Sequence, residues 1–392
     1  MSLPDLKKVL GGGIAVFVII FSFAYFGLPA VSETRYESGN TKEEILGEHK
    51  LPEEKKFVAT HIKTPDSVRA IYMTSWVAGT PSLRANIVKL VQETEINSLV
   101  IDIKDDTGKI SYEVMDPELK AVGSEEIRVR DMREFIGRLH ADDIYVIGRV
   151  ASFQDPFMAK NNPEFAVKRA SDGAVWRDRK GLTWMDAGSK GHWEYLARIA
   201  KDAYAAGFDE IQFDYIRFPS DGNMADIFFP HSNGKVKHEV IKEFFAYLDT
   251  ELRGTGLKIS ADLFGMVTTN TDDLGIGQVL EDAFPHFDYI SPMVYPSHYP
   301  NGFNGYKNVN AVPYEVVKFA MDGAVRRLKH YNAVVASTTV ELRPWLQDND
   351  YPVPYTPAMV RAQIQATYDS GLDSWLLWDA GNTYTKAALL PK

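Results

Sequence analysis

The 392-residue sequence predicts an α/β fold, a (β/α)8 TIM barrel preceded by an N-terminal transmembrane helix and a charged linker. Three observations predict it. Eight short β-rich runs alternate with helix-like stretches, the pattern of parallel βα units. They occupy about 320 residues, the span of one such barrel. No Gly-rich dinucleotide fingerprint follows the first run; Gly11-Gly12-Gly13 lies in the apolar N-terminal segment, so a doubly wound sheet fits less well.

Taken in order, Lys7 and Lys8 precede an uncharged stretch over 9–31 that is rich in Ile, Val and Phe. A single membrane span needs roughly 20 apolar residues, and flanking lysines place the N-terminus in the cytoplasm and the remainder outside. A cleaved signal peptide is the competing reading, with Ala30-Val31-Ser32 as a small-x-small site. Residues 1–32 are therefore an anchor or signal segment, 33–65 a charged linker without apolar periodicity, and 66–392 the barrel domain. Strands are expected over 69–76, 98–103, 144–150, 210–216, 258–264, 287–295, 333–338 and 374–379. Helices are expected over 83–93, 130–140, 193–206, 237–253, 314–331 and 357–370. The connection from the third strand to the fourth, 151–207, is unusually long and carries Trp176 and Trp184. Long βα loops are where a barrel keeps its specificity elements.

Composition narrows the function classes. The apolar and charged fractions, 45% and 24%, are ordinary, so a sizeable core can form. A net charge of −10 without a basic run disfavours nucleic acid, whose phosphates need a basic surface. The absence of cysteine excludes disulfides, thiolate catalysis and cysteine-ligated metals. No HExxH or HxH spacing occurs among His61, His140, His192, His231, His238, His286, His298 and His330, and no GxSxG elbow is present. Asp102, Asp105 and Asp106 read as a solvated loop rather than a site for a hard cation. No metal and no cofactor are expected.

Barrel enzymes place reacting groups at the C-terminal ends of the strands. Those ends carry Asp102, Asp214, Asp262 and Asp379, with Asp105, Asp106 and Glu341 in the following loops. Period-two parity puts Ile211, Phe213 and Tyr215 toward the helices and Gln212 and Asp214 inside; on the next strand Ser260 and Asp262 point inside. A carboxylate inside a strand is costly unless paired or used. Two on adjacent strands, about 4.8 Å apart, suit glycoside hydrolysis, with one as nucleophile or stabiliser and the other as a proton donor of raised pKa. Asp214 takes the first role and Asp262 the second, with Arg149 placed to keep one carboxylate ionised. A purely structural reading competes: Asp214 paired with Arg217 or Arg149, and Asp262 capping a turn. Asp102 with Lys104 reads equally as a salt-bridged pair or a substrate contact, and Asp379 is open in the same way. Trp76, Tyr295, Trp345 and Trp378, at or just past strand ends, could stack on sugar faces or serve as core. Arg217, Phe218 and Pro219 turn out of strand four and rim the site.

Several stretches resemble a bacterial glycosyl hydrolase family formerly filed as a domain of unknown function. They are Ala70-Ile71-Tyr72-Met73-Thr74, Val100-Ile101-Asp102-Ile103-Lys104-Asp105, Gly181-Leu182-Thr183-Trp184-Met185-Asp186, the segment 207–220 and Ile290-Ser291-Pro292-Met293-Val294-Tyr295-Pro296. The resemblance covers about residues 66–385 and implies a barrel related to the α-amylase-like and other retaining glycosidase clans. In those clans the acidic residue ending strand four is the nucleophile, which falls on Asp214. Their acid/base is usually a glutamate ending strand five, where this chain has Asp262. The expected function is cleavage of a polysaccharide or cell-surface glycan; the alternatives are a non-catalytic carbohydrate-binding barrel and a metal-assisted hydrolase or deacetylase.

Overall fold

The computed structural model describes residues 57–392. The predicted anchor or signal segment, and most of the predicted linker, lie outside the described residues. Among the described residues no helix is long and apolar enough to cross a membrane.

Eight parallel strands close into a barrel: β1 Arg69–Met73, β2 Ser98–Lys104, β3 Tyr145–Ala151, β4 Glu210–Asp214, β5 Lys258–Phe264, β6 Tyr289–Met293, β7 in two pieces, Glu341–Leu342 and Trp345–Gln347, and β8 Trp375–Trp378. Closure runs through Trp345 of β7, which pairs with Met293 of β6 on one side and Leu376 of β8 on the other. Outside the sheet lie α1 Pro81–Glu93, α2 Met132–Ala141, α3 Lys190–Ala206, α4 Lys237–Leu252, α5 Pro313–Val334 and α6 Pro357–Asp369. Prolines start α1, α5 and α6 at the first turn, where a missing N–H costs nothing. Between β5 and β6 the helical layer thins to the single turn Leu280–Ala283.

The seventh strand differs from expectation. The run 333–338 continues α5 and then a loop, and the strand begins only at Glu341. Val334 and Val335 are 69% and 64% exposed, so their β-branched chains gain no burial as a strand. Leu342, Trp345 and Leu346 are buried instead. Pro344 lacks the N–H for the ladder, which accounts for the break in β7. Glu341 consequently starts β7, paired beside Tyr289 at the opposite end of the barrel from the mouth, rather than following the strand.

Strand parity divides the apolar side chains into two cores. Ile71, Leu99, Ile101, Val146, Ile211, Phe213, Ala261 and Leu263 face the helices. Ala70, Tyr72, Val100, Tyr145, Ile147, Trp345 and Leu376 fill the interior. The barrel floor also holds a fully buried ion pair, Glu210 of β4 with Arg343 between the two pieces of β7. Ser260 Oγ donates to the same carboxylate at 2.5 Å and the Tyr145 hydroxyl at 3.2 Å.

Residues 57–65, read from sequence as linker, pack against the N-terminal end of the barrel. Ile62 N donates to Asp209 Oδ1 at 2.9 Å, and His61 stacks on Tyr204 with ring centroids 4.1 Å apart. Gly207 ends α3 with φ 114°, a left-handed conformation that lets the chain reverse into β4. At the mouth, the long β3–α3 connection is tied to the β4–α4 connection. A two-stranded antiparallel ribbon joins Lys168–Arg169 to Ile227–Phe228, and Asp186 accepts from His231 N at 2.6 Å and Ser232 N at 3.1 Å. Trp176 and Trp184 are buried in this unit, their indole N–H groups donating to Asn223 O and Asp178 Oδ2.

Candidate active site

At the C-terminal end of the strands lies a cavity of about 300 Å3. Arg149, Asp214 and Asp262 line its polar wall, and Tyr215, Phe264, Tyr295, Tyr299, Trp345 and Trp378 supply rings around it. The polar wall follows from register. Asp102 of β2 stands beside Arg149 of β3, and β4 and β5 run in step through Gln212–Ser260 and Phe213–Ala261. The next inward positions on these two strands are Asp214 and Asp262, as parity requires.

Arg149 bridges two carboxylates. Its Nε and Nη2 donate to Asp214 Oδ2 at 3.0 and 2.5 Å, and its Nη1 to Asp102 Oδ1 at 2.8 Å. Burial alone would lower the arginine pKa, but Asp214 and then Asp102 push it well above its ordinary value. Asp102 takes a further hydrogen bond of 2.5 Å from the Tyr72 hydroxyl, and burial lifts its carboxyl above the usual range against the pull of Arg149. Asp214 thus sits on a cation that a second carboxylate holds in place.

Asp262 is in the opposite situation. It is 1% exposed and has no ion-pair partner among the described residues; its one donor is the Trp345 indole N–H, 2.7 Å from Oδ1. Burial, followed by the negative charge of Asp214, drives its pKa well above the ordinary aspartate value. Of two carboxyls a strand apart, one is therefore salt-bridged to Arg149 and the other, without a counter-charge, has its pKa raised by burial.

A stability test follows. A carboxyl whose pKa is raised on folding binds more protons in the native state than in the unfolded state, so its contribution is full below the unfolded pKa. Stability is then lost as pH climbs toward the folded pKa. Asp262→Asn, which needs no proton to stay neutral, is expected to melt higher than wild type at pH 7–8, the gain shrinking toward zero below about pH 4. Melting curves across that range check it; a gain independent of pH would show that Asp262 is not held neutral by the fold.

The remaining sequence-selected residues divide. Tyr295, Trp345, Trp378 and Arg217 line the cavity. Asp102 stands behind Arg149 rather than on the cavity wall. Lys104 does not pair with Asp102. A register shift between Asp102 and Lys104 turns it out of the barrel, where it is fully buried against Asp155 at 2.8 Å and the Ala151 carbonyl. Trp76 lies beyond the end of β1 on a short helix, 60% exposed, with the Arg128 guanidinium 4.5 Å from its ring centroid. Asp379 closes its own turn, Oδ1 accepting from Gly381 N at 2.6 Å. Asp105 pairs with Arg128, and no group of three or more His, Asp or Glu side chains that could hold a metal occurs among the described residues.

Parity missed Tyr215. β4 ends at Asp214, and Tyr215 takes φ 52°, which swings its ring from the helix side into the cavity. A left-handed backbone at a tyrosine is uncommon and strained, and no sequence signal announces it. Phe264, Tyr299, His298 and Gln278 also line the cavity and carry no motif that singles them out in the sequence.

These features define a glycosidase-type barrel. The chain belongs to the family described as "putative glycosyl hydrolase domain", which it matches over residues 70–384, and this places it among the glycoside hydrolases. A hypothetical protein of solved structure from Ruminiclostridium thermocellum is 39% identical over 53% of this chain and 98% of its own, with a TM-score of 0.45. The glycoside hydrolase domain of PgaB (BpsB) from Bordetella bronchiseptica is 14% identical, covers 80% of this chain and 94% of its own, and has a TM-score of 0.53; the likeness is one of fold. The α-galactosidase from Thermus thermophilus, solved with stachyose, is 12% identical over 83% of this chain and 64% of its own, with a TM-score of 0.49. No curated protein sequence matches the chain.

Proposed function

We propose that the barrel cleaves a polysaccharide or cell-surface glycan by a two-carboxylate mechanism, with Asp214 and Asp262 as the reacting pair. The observation that carries this reading is their contrast on adjacent strands, Asp214 ion-paired to Arg149 and Asp262 buried without a counter-charge and raised in pKa, at one cavity walled with aromatic rings. Asp262 gives its proton to the glycosidic oxygen as the C1–O bond breaks. Asp214 meets the positive charge developing at C1, as nucleophile or stabiliser. The Asp262 carboxylate then takes a proton from the water whose oxygen bonds to C1 as Asp214 is released from it, which restores both groups. Trp345 and Trp378, edge-to-face with centroids 5.7 Å apart, offer flat apolar surfaces to the sugar.

The test is release of reducing ends from a panel of bacterial and plant glycans by the wild-type chain, Asp214→Asn and Asp262→Asn. Release from none of them by wild type, or equal release by Asp214→Asn, sinks the proposal. Binding without release would favour a carbohydrate-binding barrel.

The Trp345 hydrogen bond gives a finer check. It holds the Asp262 pKa down against burial, so Trp345→Phe raises that pKa further. A general acid works while protonated, and the alkaline limb of kcat/KM is expected to move to higher pH. A limb that stays put or moves to lower pH would remove Asp262 from the acid role.

The Lys7-Lys8 pair and the apolar stretch 9–31 support an extracytoplasmic placement of the barrel. Protease added to intact spheroplasts then digests it; full protection would exclude that placement.

A further inference from the structure

The cavity contains two arginines, and only Arg149 is committed to carboxylates. Arg217 lines the same cavity from the turn that leaves β4. Its Nη1 donates to the Phe218 carbonyl at 3.1 Å and the Ser220 hydroxyl at 3.4 Å. Its Nε and Nη2 donate to no protein group, and no carboxylate lies within ion-pair distance among the described residues. The guanidinium is wedged among the rings of Trp184, Phe264 and Tyr215, 4.7, 4.9 and 5.7 Å from their centroids. Burial pushes its pKa below the ordinary arginine value, and the more distant charges on Asp214, Asp221 and Asp178 do not make up the difference. The other two arginines of the barrel interior, Arg149 and Arg343, each have a carboxylate. Arg217 is a half-buried cation lining the cavity, with Nε and Nη2 unpartnered among the described residues.

We propose that Arg217 is a substrate-recognition residue whose Nε–Nη2 edge receives the carboxylate of an acidic sugar, so that the glycan is an anionic one built from uronic-type residues. The planar fork matches a carboxylate with two parallel hydrogen bonds. Rings on its flanks lower the local dielectric and strengthen that contact. A neutral sugar seated in the cavity would cover the cation without pairing it, which is how a polar site discriminates against a partner lacking the matching group. Arg149 neutralises Asp214, so the anion is not met by a bare carboxylate beside it. The net charge of −10 gives no long-range attraction for a polyanion, and selection therefore rests on this local contact. The inference deepens the glycosidase reading and rests on it.

The experiment measures binding to the full chain, by calorimetry and by the fluorescence of the neighbouring Trp184, so turnover is not required. The probes are D-galacturonate and D-glucuronate against D-galactose and D-glucose, with inorganic sulfate as a further arm. The expected result is at least about tenfold tighter binding of one acid than of its neutral counterpart. Arg217→Gln brings acid affinity down to the neutral level, and Arg217→Lys retains part of the preference. Equal binding of acid and neutral sugars overturns the proposal. So does an acid preference that survives Arg217→Gln, no measurable binding of either acid, or sulfate binding as tightly as the acids. If Arg217→Gln fails to fold, the Lys variant and the wild-type ratio decide. Hydrolysis without an acid preference defeats this inference alone, whereas an acid preference without hydrolysis defeats the glycosidase reading alone.

Discussion

Asp214→Asn lowers kcat on a cleaved glycan on the order of 10³-fold, the scale of a positioned carboxyl acting in the transition state, with little change in melting temperature. The small structural cost follows from Arg149, which keeps Asp102 at 2.8 Å and is not left as an uncompensated charge. The loss falls on kcat because the charge of Asp214 is needed only once positive charge grows at C1. Asp262→Asn separates the two roles. Its loss in kcat/KM, which reports the steps up to departure of the leaving group and not the later base step, is large on a natural glycan, whose leaving oxygen needs a proton, and small on an aryl glycoside with an acidic phenol, whose leaving group does not. Asp214→Asn is insensitive to the leaving group at the protonation step. Steady-state kinetics on both substrate types give the comparison; a leaving-group dependence for Asp214→Asn rather than Asp262→Asn would exchange the roles.

Arg343→Met loses about 3–5 kcal/mol of stability, the usual consequence of removing one half of a buried ion pair. Glu210 would remain in the barrel floor with hydroxyl donors from Ser260 and Tyr145 but no counter-charge. Adding Glu210→Gln recovers part of the loss, because the cost lies in the stranded charge rather than in the missing contact. Urea unfolding of the single and double variants measures both quantities. A single variant within about 1 kcal/mol of wild type would mean that water reaches the floor and screens the pair.

Most of the barrel is legible in the sequence because its strands, buried inside and under the helices, are short apolar runs set between helical stretches. The alternation in 210–214 and 258–264 was enough to put Asp214 and Asp262 on the same side of neighbouring strands. The seventh strand was hidden by two local effects. A β-branched run, Val334 and Val335, lies exposed at the end of α5, and Pro344 interrupts the true strand. Lys104 was misplaced because a bulge resets parity without changing composition. Tyr215 was misplaced because one residue adopts a left-handed backbone that only the surrounding fold imposes. Arg217 was visible at once, but its lack of a counter-charge is a property of three-dimensional neighbours and has no sequence signature.

The Trp345 contact to Asp262 also has a stereochemical consequence. An indole N–H only donates, so the oxygen that accepts it, Oδ1, is the one that keeps its lone pairs. With Asp262 as the proposed acid, this contact favours the acid hydrogen on Oδ2. In the proposed mechanism the glycosidic oxygen then approaches Asp262 from the Oδ2 side. On the proposed roles, a tryptophan on strand seven thus sets the side from which the sugar is protonated.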